Sequence, residues 1–363
     1  MKNKDIFDAL GGVDDRFISE AAPKRTDFKK QKPRSAVRWL TAAACLCIAA
    51  AVFLGYWLIS PARLQKIPLN ADGSSGLGAG AHEIIVRDMS EYITGNPWSA
   101  DMNLKRLPVY KNTQSLSCDD MLDNINKTAE RLGVEIKSVT REAMSDSGWV
   151  VAEDSLYAVR AETDIGLISA FATGGVSISF SEPVAGNGTG REAAEYFIKK
   201  YSSVIGFKNP VLCVTSDYDI NGAESAEYRV YDGSGGDLKR VKSYNFNSVY
   251  FDINENGGLE SIRIGSVDGA KRLGDYPIIP YKEAEKLLLG GKYISGSVDG
   301  IENGRVTREK IKKVELVYSI DPMDAYFVPY YRFYVELDRS PAAGFKCYGE
   351  FDVPAVNSKY ISN

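Results

Sequence analysis

The sequence predicts an α+β protein: a single transmembrane helix followed by an extracellular domain of two or three modules, each a helix laid on an antiparallel sheet. Three observations carry this. Residues 39–59 (WLTAAACLCIAAAVFLGYWLI) hold no charge, and at about 1.5 Å per residue they span roughly 30 Å, the hydrocarbon thickness of a bilayer. Beyond residue 83, stretches of helical spacing alternate with stretches of two-residue period, in a recurring order of one helix and then three strands. The turns between strand-like runs are rich in Gly, Asn and Asp, which suits hairpins better than crossovers.

Composition narrows the function classes. With 44% hydrophobic and 25% charged residues, the 363-residue chain is ordinary for a folded protein. The net charge of -4 speaks against a nucleic-acid binder, and a single histidine, His82, excludes a mechanism that needs several. That net charge is the sum of two unlike parts. Residues 1–38 hold 10 Lys/Arg and 6 Asp/Glu, net +4, whereas the remainder is net -8. Lys24, Arg25, Lys29, Lys30, Lys32, Arg34 and Arg38 precede the apolar run, and only Arg63 and Lys66 follow it closely. The positive-inside rule therefore places the N-terminus in the cytoplasm and the long C-terminal part outside. Trp39, Tyr56 and Trp57 bracket the run where amphipathic rings settle at headgroup level. A cleaved signal peptide is the alternative, but the run exceeds an h-region of about 7–15 residues.

Taken in order, residues 1–38 read as a cytoplasmic docking segment and basic juxtamembrane stretch. Ile6, Phe7 and Leu10, then Val13, Phe17 and Ile18, fall at helical spacing on either side of Gly11-Gly12. Helices this short are unstable alone, so these six are the candidate partner-binding residues; a frayed tail with incidental hydrophobes, or one resting on the bilayer, is the other reading. Residues 39–59 are the transmembrane helix and 60–82 a flexible linker, since NADGSSGLGAGA (70–81) is almost wholly Gly, Ser and Ala. Residues 83–185 form the first ectodomain module and 186–363 tandem further modules.

Within these, Ser117 opens a helix with Asp120 completing a capping box, and Met121, Ile125, Ala129 and Leu132 line one face. Strands are expected at 134–139, 155–163 and 176–180. Thr189 caps a second helix with Glu192 at the reciprocal position, and the buried stripe is Ala193, Phe197, Tyr201 and Val204. Strands follow at 227–231, 243–253 and 259–264, with DGSGGD (232–237) and NENGG (254–258) as hairpin turns. A third helix over 281–289 stops at Gly290-Gly291, before strands at 314–320, 326–337 and 345–353.

The opening KDIFDALGGVDDRFISEAAP, the basic linker and RWLTAAACLCIAAA resemble single-pass membrane regulators of low-GC Gram-positive bacteria, in the style of membrane anti-sigma factors. The resemblance implies that the N-terminal segment holds a cytoplasmic sigma factor. It does so without zinc, since residues 1–38 contain no His/Cys motif. VYFDINENGGLESIRI and KEAEKLLLGG are similar to tandem PepSY-like domains, over residues 176–356. That similarity implies a binding or protease-regulating module rather than an enzyme.

No catalytic, cofactor-binding or metal-ligating residue is nominated. Asp252-x-Asn254-x-Asn256-Gly257 opens like a calcium loop, but Arg263 stands where that loop needs a bidentate Glu. GNGTGRE (186–192) could offer amides to an anion, and equally makes a plain helix cap. Outside the apolar run, Cys118, Cys213 and Cys347 allow one disulfide at most. In YFVPYYRFYVEL (326–337), Tyr326, Tyr330, Arg332 and Tyr334 share one face. That face is a candidate ectodomain interface, with Pro329 favouring a strand edge; cross-strand packing of tyrosines is the alternative. The expected function is a membrane-anchored, non-enzymatic regulator or sensor. Its partners are the membrane, a cytoplasmic sigma factor and an extracellular ligand or protein. The alternative is an envelope-anchored binding or structural protein with no cytoplasmic partner.

Overall fold

The computed structural model describes residues 64–69, 83–113, 116–143, 157–294, 300–301, 305–320, 324–339, 341 and 344–362. A first unit, Met1–Pro61, lies outside them. With it lie the expected docking residues Ile6, Phe7, Leu10, Val13, Phe17 and Ile18 and the expected span 39–59; His82 is also outside.

Three strands come first: β1 (Ile67–Pro68), β2 (Ile84–Val86) and β3 (Arg106–Asn112). Ser117 then caps α1 (Cys118–Leu132). The Asp120 amide donates to the Ser117 hydroxyl at 3.1 Å and the Ser117 amide to the Asp120 carboxylate at 3.0 Å, the reciprocal pair that the spacing predicts. Gly133 ends the helix at φ 71°, a conformation that costs glycine little. β4 (Ile136–Ala143), β5 (Tyr157–Thr163), β6 (Gly166–Phe171) and β7 (Val176–Val184) follow. Thr189 is the N-cap of α2 (Gly190–Lys200), without a side-chain bond, and α3 (Ser202–Ile205) adds one turn. Next are β8 (Pro210–Tyr218), β9 (Glu224–Asp232), α4 (Asp237–Phe246), β10 (Val249–Ile253), β11 (Leu259–Ile264) and β12 (Ala270–Pro277). α5 (Tyr281–Leu289) precedes β13 (Ile311–Tyr318), β14 (Tyr326–Phe327), β15 (Pro329–Glu336), β16 (Lys346–Pro354) and β17 (Ile361–Ser362).

The strands build an eight-stranded sheet in the order β4-β5-β6-β7-β11-β10-β9-β8, a four-stranded sheet β13-β15-β16-β2, a three-stranded sheet β12-β3-β14 and the pair β1-β17. All the ladders are antiparallel except β1 with β17. One face of the large sheet is covered by helices. Met121 and Ile125 of α1, Ala193 and Phe197 of α2, and Val204 of α3 pack on Ile168, Ile178, Val230, Phe251 and Ile262. The four-stranded sheet packs its own apolar face, Leu316, Phe333, Phe351 and Val353, against Ala284 and Leu288 of α5.

This overturns the expected array of two or three helix-plus-sheet modules; the expected span 39–59 lies outside the described residues. Strand takes 43% of the described residues against 23% for helix, and among those residues no helix is long and apolar enough to cross a membrane. The expected repeat dissolves because sheet membership is set by long-range pairing. Ile178 of β7 pairs with Ile262 of β11, so four strands from each side of residue 185 make one sheet. Tyr110 of β3 lies between Arg272 and Phe327. A row of separate helix-plus-sheet modules would not be joined in this way.

Two local expectations also change. Residues 237–246 are helix, not the start of a 243–253 strand, because Val241, Tyr244 and Phe246 can all be buried on a helix here. DGSGGD accordingly leads a strand into a helix and closes no hairpin. Within the expected linker, Leu64–Leu69 is built into the fold: Ile67 is fully buried, pairs with Ile361, and the Tyr276 hydroxyl donates to the Gln65 carbonyl at 3.1 Å.

Candidate functional site

The second face of the four-stranded sheet is polar, and register makes it so. Glu315, Arg332 and Asp352 stand opposite one another across β13, β15 and β16, and Lys313, Tyr334 and Glu350 form the next row. Side chains two residues apart share a face, so the two rows meet. Arg332 donates through Nε and Nη2 to Asp352 at 3.0 and 2.9 Å, the bidentate fork that guanidinium geometry favours, and its Nη1 lies 2.9 Å from Glu350 Oε2. Glu315, 5% exposed, accepts from the Thr94 hydroxyl, from the Tyr334 hydroxyl at 2.9 Å, and pairs with Lys313 at 2.8 Å.

Facing these rows is the face of β8–β10 opposite to the one that packs against the helices. Tyr250, Arg229 and Cys213 form one row across β10, β9 and β8. The Arg229 guanidinium carbon sits 4.6 Å from the Tyr244 ring centre and 4.8 Å from that of Tyr250, a cation–π clamp. Its Nη2 pairs with Glu227 at 3.1 Å, while its Nε is buried and makes no hydrogen bond. Between the two walls lies a cavity of about 180 Å³ whose lining includes Tyr92, Arg229, Tyr244, Tyr250, Arg332, Tyr334 and Glu350. An unspent donor beside charged and aromatic walls is what a ligand acceptor meets in a binding site.

Burial sets the protonation of these groups. It pushes the hydroxyls of Tyr92, Tyr244, Tyr250 and Tyr334 up, so all four remain neutral and able to donate. Glu350 is pushed up to about 7 by burial; Arg332 opposes the rise, while Asp352 and Glu315 add to it.

Of the four residues expected to form an exposed Tyr/Arg interface, only Arg332 and Tyr334 reach this cavity. Tyr330 and Tyr334 are 3% and 2% exposed, and Tyr326 sits in β14 of another sheet. β15 is paired on both sides, and Pro329 is merely its first residue, where a missing N–H costs no interior ladder bond. The face therefore looks into the molecule and is no strand edge. Glu315, Glu350 and Asp352 escape a sequence reading; the available signal is acids alternating with Val, Leu and Phe in KVELVY and GEFDVP.

Cys118, Cys213 and Cys347 are all free thiols. Among the described residues no group of three or more His, Cys, Asp or Glu is placed to hold a metal ion. In NENGG, the Asn254 side chain accepts from the Asn256 and Gly258 amides and closes a hairpin, while Asp252 is engaged by Ser261 and Arg263.

No family model matches the chain, and no curated protein matches it. Among solved structures it is similar to an uncharacterized protein from Eubacterium rectale, at 11% identity over 70% of this chain and 84% of that one, with a TM-score of 0.34. A likeness at that level carries neither fold nor function.

Proposed function

We propose that this protein is a membrane-anchored regulator or sensor. Its β-rich outer domain binds a ligand or protein at the cavity between the two sheets, and its N-terminal segment holds a cytoplasmic partner. The resemblance of roughly the first 60 residues makes that partner a sigma factor. The observation that carries this is the enclosed charged cluster around Arg332. A scaffold gains little from such a cluster, because replacing buried ion pairs by apolar residues of similar volume is often neutral or stabilising. A binding domain keeps it for the polar groups it aims at an occupant. The net charge of +4 before the uncharged run and -8 from there onward supports the orientation. No reaction is assigned: Glu315, Asp352 and Glu350 are each held by a cation or a hydroxyl.

The test is co-purification with the full-length chain. A sigma factor recovered in stoichiometric amount, and lost on Phe17→Asp, is the expected result. Absence of any stoichiometric partner overturns the regulator in favour of an anchored binding or structural protein.

A further inference from the structure

Between the two walls of the cavity runs a segment with neither helix nor strand, residues 92–98. Its backbone is held in an unusual way. Four consecutive carbonyls accept from side chains and not from a sheet ladder: Tyr92 from Lys313 Nζ at 2.8 Å, Ile93 from the Thr215 hydroxyl at 3.2 Å, Thr94 from the Tyr244 hydroxyl at 3.2 Å, and Gly95 from the Cys213 thiol at 3.7 Å. The donors come from β13, β8 and α4, so both walls contribute. Three side-chain positions are read as well. The Thr94 hydroxyl donates to buried Glu315, and Asn96 Nδ2 donates to the Leu316 carbonyl at 3.0 Å. Gly95 stands at φ 68° against Cys213, where any Cβ would overlap the sulfur. Ile93, by contrast, is 64% exposed and points away.

Backbone held by donors, one hydroxyl held by a carboxylate and one position open to glycine alone is how a groove recognises a peptide segment. The ends are anchored independently: Met89 is buried beside Tyr334 and Tyr348, and Trp98 packs edge-on to Tyr281 and Tyr331. On the far side of residues 92–96 lies an outer groove of about 600 Å³, which shares Tyr92, Thr94 and Glu315 with the inner cavity. Lifting the middle of the segment would merge the two spaces without unpinning its ends.

We infer that residues 92–96 are the resident occupant of a peptide-recognition groove, and that a partner protein's segment carrying a hydroxyl residue followed by glycine replaces them. This rests on the inter-sheet cavity being the domain's binding site. A resident occupant weakens a competitor by the small fraction of time the groove is open.

The test uses the full-length chain in micelles and a fluorescent peptide with the sequence of residues 91–99. Gly95→Val in the protein ejects the resident segment, so the peptide is expected to bind that variant at least about tenfold more tightly than wild type. A peptide carrying valine at the same position is expected to bind neither. Equal binding to both proteins, or loss of cooperative unfolding in the variant, overturns the inference. A second measurement needs no variant. Cys213 lies under Gly95, and Cys347 is buried in β16. An uncharged thiol reagent is expected to label Cys213 faster than Cys347 in the native wild type; equal or slower labelling overturns the inference. Either failure leaves the sigma-factor test with Phe17→Asp untouched, so the two can fall separately.

Discussion

On one face of β15, Tyr331, Phe333 and Val335 are buried against Leu316, Phe351 and Val353. On the other face of the same strand, Arg332 and Tyr334 meet Glu315, Glu350 and Asp352 beside a cavity of about 180 Å³. The first face is dry and closely filled; its stability comes from apolar area and dispersion. The second is filled with paired charges whose attraction mostly offsets the cost of taking them out of water. One strand thus separates the face that holds the domain together from the polar face that lines the cavity. Substitutions on the two sides should fail in different ways.

The largest effect is expected on the dry side. Phe333 is 1% exposed, and Phe333→Ala should destabilise the full-length chain by about 3–5 kcal/mol through lost transfer energy and the void it leaves. Urea unfolding in micelles reads this directly. A loss below that from the polar-side substitution that follows would break the comparison. Asp352→Ala removes the bidentate partner of Arg332 while Glu350 still holds Nη1. About 2 kcal/mol is expected for such charge-assisted bonds. Arg332→Met combined with Asp352→Leu should cost less than the two single changes added together, because neither charge is then left alone.

How much of this was legible varies with sequence distance. α1 was readable to its cap because Ser117 and Asp120 are three residues apart, and the turn at Asn254–Gly258 because its Asx and Gly chemistry is local. α4 was misread: Ser243–Phe246 looks like the start of a strand, but Val241 and Phe246 are buried on a helix that the glycines at 235 and 236 lead into. The site was half legible. Arg332 and Tyr334 share a parity that the sequence displays, but whether that parity faces water depends on which strands flank β15. Those neighbours, β13 and β16, lie on either side of it in the chain and are joined only by register. Arg229 belongs to the other wall, brought opposite by pairings with β8 and β10 that no local pattern encodes.

The smallest expected effect is also the one that most cleanly marks the polar face, because it depends on pH. Glu350 titrates near 7 in the folded chain, against an ordinary value of 4.5. The groups around it are Arg332 and Tyr334 on β15, Glu315 and Lys313 on β13, Asp352 on its own strand, and Arg229, Glu227, Tyr92, Tyr244 and Tyr250 across the cavity. Below the ordinary value the group is protonated whether the chain is folded or not, and it contributes no pH dependence. Between 4.5 and about 7 the unfolded chain gives up this proton while the folded chain keeps it, so rising pH favours unfolding. Above about 7 both forms are ionised and the loss is complete. Glu350→Gln cannot ionise. It should therefore gain stability relative to wild type as pH rises through that window, by on the order of 1 kcal/mol, since the side chain is 21% exposed and water screens it. Urea midpoints at pH 5 and pH 8 for both chains measure the difference. A variant that tracks wild type at both values would mean that this face holds its carboxylates as comfortably as water does, and the contrast between the two sides of β15 would reduce to packing alone.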